Sequence, residues 1–155
     1  MSSSITSLFR RRPPESLGLN LAAGDRHYRA YLGPPGYYDL IAAMTFNLLT
    51  TLGLRQHHTV LDFGCGSLRV GRLLIPYLNA GCYSGLEPNK WLVDEGLRRE
   101  TGEDQIRIKA PRLLTASSPD ALPARALFDF VVAQSVFSHA GRISLPSGCT
   151  GSHCS

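Results

Sequence analysis

The sequence predicts an α/β fold, a mainly parallel sheet with flanking helices, on three observations. Short apolar runs with β-branched residues alternate with segments of helical spacing, which points to right-handed crossovers between parallel strands. The stretch Asp62-Phe63-Gly64-Cys65-Gly66 puts two alternating glycines where a strand gives way to a helix. The run from Ala126 to Gln134 is apolar almost throughout, as a strand buried on both faces would be.

The elements follow in order. Gly33-Pro34-Pro35-Gly36 is a turn, and beyond it Ile41, Met44, Leu48 and Leu52 recur at helical spacing before Gly53 ends the helix. Thr59 to Phe63 is the first strand, and Leu68 to Leu78 the helix after it, with Val70, Leu73, Leu74 and Leu78 able to face a sheet. Cys82 to Glu87 is the second strand; it must stop there, because Pro88 cannot pair within a sheet. Asn89 to Thr101 is helical through Leu92, Val93 and Leu97, with Gly102 as its stop. Ile106-Arg107-Ile108 reads as a brief third strand and Ala126–Gln134 as the fourth.

Three regions are expected. Residues 1–24 read as a flexible N-terminal segment, 25–140 as one folded domain, and 141–155 as a disordered tail of small and polar residues. The opening Met1 to Arg12 is rich in Ser and Arg and lacks acids, as transit peptides are. It is short and runs into Pro13-Pro14, so a frayed terminus and a cytoplasmic protein are expected.

Composition narrows the class. A chain of 155 residues, 43% hydrophobic and 18% charged, has room for one domain with a real core. The net charge of +4 comes from scattered arginines with no interleaved aromatic stripe, so no nucleic-acid partner is expected. No apolar run approaches the ~20 residues of a membrane span. Cys65 and Cys82 fall in or beside buried strands, while Cys149, His153 and Cys154 are too few for a closed zinc site.

The glycine bend points to a ligand. Alternating glycines let a backbone turn tightly and approach a bound molecule with no Cβ in the way. Asp62 stands two residues before Gly64, and Glu87 closes the next strand, where a carboxylate can take both hydroxyls of a ribose. A dinucleotide loop would read G-x-G-x-x-G, but its third position here is Arg69, and an acid before the first glycine would repel a pyrophosphate. That acid would welcome an ammonium group. A ligand with both an amine and a ribose fits better, and S-adenosyl-L-methionine (SAM) has both.

At these residues the chain resembles the class I SAM-dependent methyltransferases, whose domain is Rossmann-like. Asp62-Phe63-Gly64-Cys65-Gly66-Ser67 is similar to that family's first motif. The resemblance implies that Asp62, Gly64 and Gly66 hold the methionine end of SAM, with Cys65 in the same loop and its side chain read as packing. Glu87 resembles the ribose-binding acid. Phe128 to Phe137 looks like the fourth strand and the loop after it, which places Gln134 and Ser135 near the methyl donor. Asp120 is matched to the adenine-contacting loop. Leu68 departs from the pattern, standing where many members have another glycine.

The resemblance runs from about Tyr37 to Ala140 and implies a partial domain, about four strands of the family's seven, C-terminally truncated. The first and fourth strands should be neighbours at the topological switch point. The fourth strand would then have an apolar open edge, a place for self-association. The expected function is methyl transfer to a small-molecule acceptor, with activity in doubt for so short a chain. A silent SAM-binding or regulatory fragment and an NAD(P)-binding oxidoreductase domain stand as alternatives. His139 is a candidate base more simply read as a surface histidine, and Tyr37 and Tyr38 are read as core or rim aromatics.

Overall fold

The computed structural model of the protein describes residues 17–124 and 126–134. Four parallel strands form one sheet in the order β3-β2-β1-β4. They are β1 (Val60–Phe63), β2 (Tyr83–Leu86), β3 (Arg112–Leu114) and β4 (Phe130–Val132). The helices are α1 (Tyr38–Thr51), α2 (Gly71–Tyr77), α3 (Lys90–Glu100) and α4 (Glu103–Lys109). This is an α/β, Rossmann-like arrangement. Among the described residues no helix is long and apolar enough to cross a membrane.

Register centres the sheet on β1. Asp62 pairs with Gly85 of β2 on one side and Val132 of β4 on the other. Strand order reverses between β2 and β4, so the crevice at the carboxyl end of β1 is the switch point of the sheet. Side chains alternate across a strand. Val60, Tyr83, Leu113 and Val132 therefore share one face, and there they join Leu49 of α1, Leu74 and Ile75 of α2 and Val93 of α3 in a single cluster.

Three expected elements are corrected. The third strand is not at Ile106–Ile108; those residues lie in α4, and β3 follows at Arg112–Leu114. Glu103 and Asp104 in the first turn and Arg107 and Lys109 in the last suit the helix dipole, and Ala110, left-handed at φ +44°, ends the helix before Pro111. The alternation of Ile106 and Ile108 suggested a strand, but only Ile106 packs on the core while Ile108 is 61% exposed. The fourth strand is shorter than expected and not buried on both faces: Val132 is buried, whereas Val131, on the face away from the helical cluster, is 62% exposed.

The third correction is the start of α2, at Gly71 instead of Leu68. Leu68 has φ +60°, a left-handed conformation that no α-helix accommodates. Its side chain is fully buried in the core cluster, and that burial offsets the backbone strain. In α1 the expected helix is present and Gly53, at φ +100°, ends it. Its packed side is Tyr38, Ala42 and Leu49, however, and Met44, Leu48 and Leu52 of the apolar stripe are exposed.

A charged clasp fastens the residues before α1 to the domain. Arg29 is buried, with Nη2 at 2.7 Å from Glu100 and Nη1 at 3.0 Å from Asp39, and Arg72 reaches the other oxygen of Asp39 at 2.7 Å. The Arg29 guanidinium lies 4.5 Å above the Tyr38 ring. Ser67, fully buried, donates through Oγ to the Tyr28 carbonyl at 2.7 Å, and Tyr38 donates its hydroxyl to the Ser67 carbonyl at 3.0 Å. Gly96 lets α3 lie directly on this bend, since a Cβ there would collide with the Ser67 carbonyl.

Two substitutions test this account by urea denaturation. Leu68→Gly removes the strain but also the buried side chain, and a net loss of about 1–3 kcal/mol is expected. Gly96→Ala must push α3 off backbone atoms that cannot rotate away, at roughly 1–3 kcal/mol. Unchanged stability in both would contradict the packing of this bend.

Candidate functional site

The bend after β1 comes from local backbone chemistry. Gly64 and Gly66 have φ +72° and +55°, where a side chain is strained. The N–H groups of Gly64 and Cys65 both donate to the Leu86 carbonyl, at 2.8 and 3.0 Å, which ties the bend to the end of β2. At Gly66 a Cβ would lie 2.7 Å from the Leu32 side chain, so the glycine also admits the segment before α1.

Beneath that segment lies a cavity of about 680 Å³ at the carboxyl ends of β1, β2 and β4. Asp62, Gly64, Cys65, Glu87 and Gln134, five of the eight residues singled out from the sequence, line it. Gly66 does not line it; it donates its N–H to the lining residue Glu87, at 3.1 Å to Oε2. Asp120 does not line the cavity. It is exposed in the turn Pro119–Ala121, bonded to Ser118 at 2.7 Å, and Ala116 and Ser117 line the cavity in its stead. Ser135 and His139, with Cys149, His153 and Cys154, lie outside the described residues.

Asp62 is 3% exposed. Its Oδ2 accepts the Tyr83 hydroxyl at 2.8 Å, and its Oδ1 accepts no hydrogen bond among the described residues. Burial pushes its pKa up to about 6, against the opposing pull of the Tyr83 hydroxyl and the Arg69 charge, while Glu87 raises it further. Tyr83 is raised as well, by burial first and then by the neighbouring Asp62.

Glu87, 5% exposed, is already engaged. Besides Gly66 it accepts the Asn89 backbone N–H at 2.9 Å and the Asn89 side-chain amide at 2.8 Å, both on Oε1. A carboxylate has about four acceptor positions, so Oε2 retains the free one. The Cys65 thiol packs toward Gly85, and burial next to Asp62 and Glu87 raises its pKa well above normal. Cys65 is also a member of the core cluster.

The lining residues not assigned to the site from sequence include Arg69, Asn89, Tyr31 and Leu32. Asn89 precedes α3 and reads as its cap, but its amide turns to Glu87 and makes no cap bond. Tyr31 and Leu32 carry no sequence signal; Tyr31 is set by an edge-on contact with Trp91 at 5.3 Å. Arg69 is 6% exposed and donates to the Leu32 carbonyl at 3.1 Å and to Gln134 Oε1 at 3.3 Å. Gln134 in turn donates to Thr45 of α1 at 2.8 Å. Tyr38 is core and Tyr37 is exposed, and neither lines the cavity. Among the described residues no cluster of His, Cys, Asp and Glu fits a metal ion.

The chain matches no family model and no curated protein.

The raised pKa of Asp62 makes stability depend on pH. Folding raises this carboxyl above its ordinary 3.8, so the folded state binds the proton more tightly. The resulting stabilisation is full below about pH 4 and is lost as pH rises through about 6. Asp62→Asn removes that dependence. Relative to the variant, the native protein should lose about 3 kcal/mol between about pH 3 and pH 7, read from paired urea titrations; parallel profiles would refute the assignment.

Proposed function

We propose that the cavity binds S-adenosyl-L-methionine and that the protein is a SAM-dependent methyltransferase acting on a small-molecule acceptor. The observation that carries this reading is the convergence of Asp62 and Glu87, from the ends of adjacent strands, on one cavity beside a glycine bend. Asp62 Oδ1, which accepts no hydrogen bond among the described residues, suits the ligand's ammonium group. Glu87 Oε2 suits a ribose hydroxyl, and rotation of the Asn89 amide would release a second acceptor for the other. At Gly64, which lines the cavity at φ +72°, the backbone can approach the ligand with no Cβ in the way.

SAM supplies an electrophilic methyl group. The protein's own part is alignment, since holding a nucleophile about 3 Å from the reacting carbon contributes roughly 7–11 kcal/mol. The oxidoreductase alternative is disfavoured by the same geometry. The third glycine position of a dinucleotide loop holds Arg69, buried in the cavity wall, and Asp62 stands where it would repel a pyrophosphate.

Isothermal titration with SAM, S-adenosylhomocysteine and NAD tests the reading. Binding of the first two is expected, and Asp62→Ala and Glu87→Ala should each weaken it about tenfold or more, as for charge-assisted hydrogen bonds. Binding of NAD alone, or undiminished SAM affinity in both variants, would overturn it.

A further inference from the structure

The free edge of the sheet lacks the protection that edge strands ordinarily carry. Among the described residues β4 pairs with β1 alone, so its other side is open. Phe130 gives its N–H to the Thr59 carbonyl at 3.2 Å. Alternation along the strand therefore turns the N–H and C=O of Val131 outward. Charged side chains or proline usually guard such an edge. From 126 to 134 the chain has no proline, and its single charged side chain, Asp129, turns inward to accept the Thr59 N–H at 2.7 Å. Leu127 and Val131 are left exposed.

Helix α1 presents a second apolar surface beside that edge. Leu40, Met44 and Leu48, with Leu52 just past the helix end, recur every fourth residue, and each is more than half exposed. Phe46 packs edge-on against Tyr77 of α2, ring centroids 5.3 Å apart, and α2 in turn contacts β2. Met44 and Leu48, two residues either side of Phe46, lie about 160° from it around the helix, on the flank away from α2. Thr45 accepts the side-chain amide of Gln134, just beyond β4, so that flank looks out past the edge strand. A row with this spacing is a ridge of the kind that packs into the grooves of another helix. Asp39 is the one charged residue of α1, and Arg29 and Arg72 hold it.

We propose that this edge and this ridge together form a self-association surface whose occupant is a second copy of the chain. A two-fold axis normal to the sheet at Val131 runs β4 antiparallel to its counterpart. Val131 then faces Val131 of the second copy, and the two exchange both backbone hydrogen bonds. Phe130 falls opposite Val132, so apolar meets apolar at these positions of the joint. The same rotation keeps every helix on one face of the joined sheet and sets the two α1 ridges flank to flank above it. One operation thus covers both surfaces, brings no like charges together and closes at two copies. Gln134, at the end of β4, lines the cavity, so each copy steadies one cavity wall of the other. The pairing is independent of what the cavity binds.

Sedimentation velocity of the 155-residue chain, from well below to well above micromolar concentration, tests this. A monomer–dimer equilibrium is expected. Val131→Lys and Val131→Glu place like charges across the axis and should each weaken association about tenfold or more. An equimolar mixture of the two should recover it as a heterodimer, a result specific to a residue that meets its own counterpart. Leu48→Glu should weaken association through the α1 ridge. Val131 and Leu48 are exposed in the single copy, so these variants should keep the native fold, which far-UV circular dichroism checks. A native protein that stays monomeric at every concentration overturns the proposal without any variant, and so does a species larger than the dimer. Association that persists in the Val131 variants or in Leu48→Glu, or a mixture that stays monomeric, overturns it as well.

Discussion

The structure depends on a backbone constraint five residues long. From Gly64 to Leu68 every second residue is left-handed, at φ +72°, +55° and +60°. A chain bent in this way exposes its N–H and C=O groups, and each must be paired or left to a ligand. Here the end of β2 takes three of the N–H groups, two on the Leu86 carbonyl and one on Glu87. Tyr28 and Tyr38 bond Ser67 from the segment before α1 and from α1 itself, and α3 packs on the same backbone through Gly96. The bend thus places the two carboxylates, and the elements around it are placed by the bend.

Charges are distributed unequally around that bend. On its outer side Arg29, Arg72, Asp39 and Glu100 meet one another directly, and the Tyr28 hydroxyl fills a further acceptor on Glu100. Such a network holds the segment before α1 in place. Within the cavity the carboxylate of Asp62 and the guanidinium of Arg69 are equally buried but left with free donors and acceptors. Unsaturated buried charge is destabilising, and here it is concentrated on one cavity wall.

Much of the fold was legible before the coordinates. β1, β2, α1 and α3 were readable because apolar periodicity, Pro88 and Gly53 leave little choice of backbone. The adjacency of β1 and β4 was implied by the family resemblance, and the sheet order has it. The failures share a cause. Ile106 and Ile108 fit a strand and a helix equally well over three residues, and only the packing of Ile106 against the core cluster decided for α4. In α1 the stripe Met44, Leu48 and Leu52 has the right spacing, but burial went to Tyr38, Ala42 and Leu49, because Tyr38 is drawn in by Arg29 and Ser67.

By itself, the sequence determined local properties: where strands end, where glycine permits a bend, and which two carboxylates stand at strand termini. These depend on neighbours within a few residues, and such interactions are written in order along the chain. Tertiary structure alone decided that Asp62, Glu87 and Gln134 share a cavity while Asp120 faces away from it, and that Arg69 turns inward between Leu32 and Gln134. The placing of Arg69 requires residues 37 and 65 positions away from it to meet it. Whether a charge ends up in water or in a wall is a property of the assembled surface, which no single segment encodes.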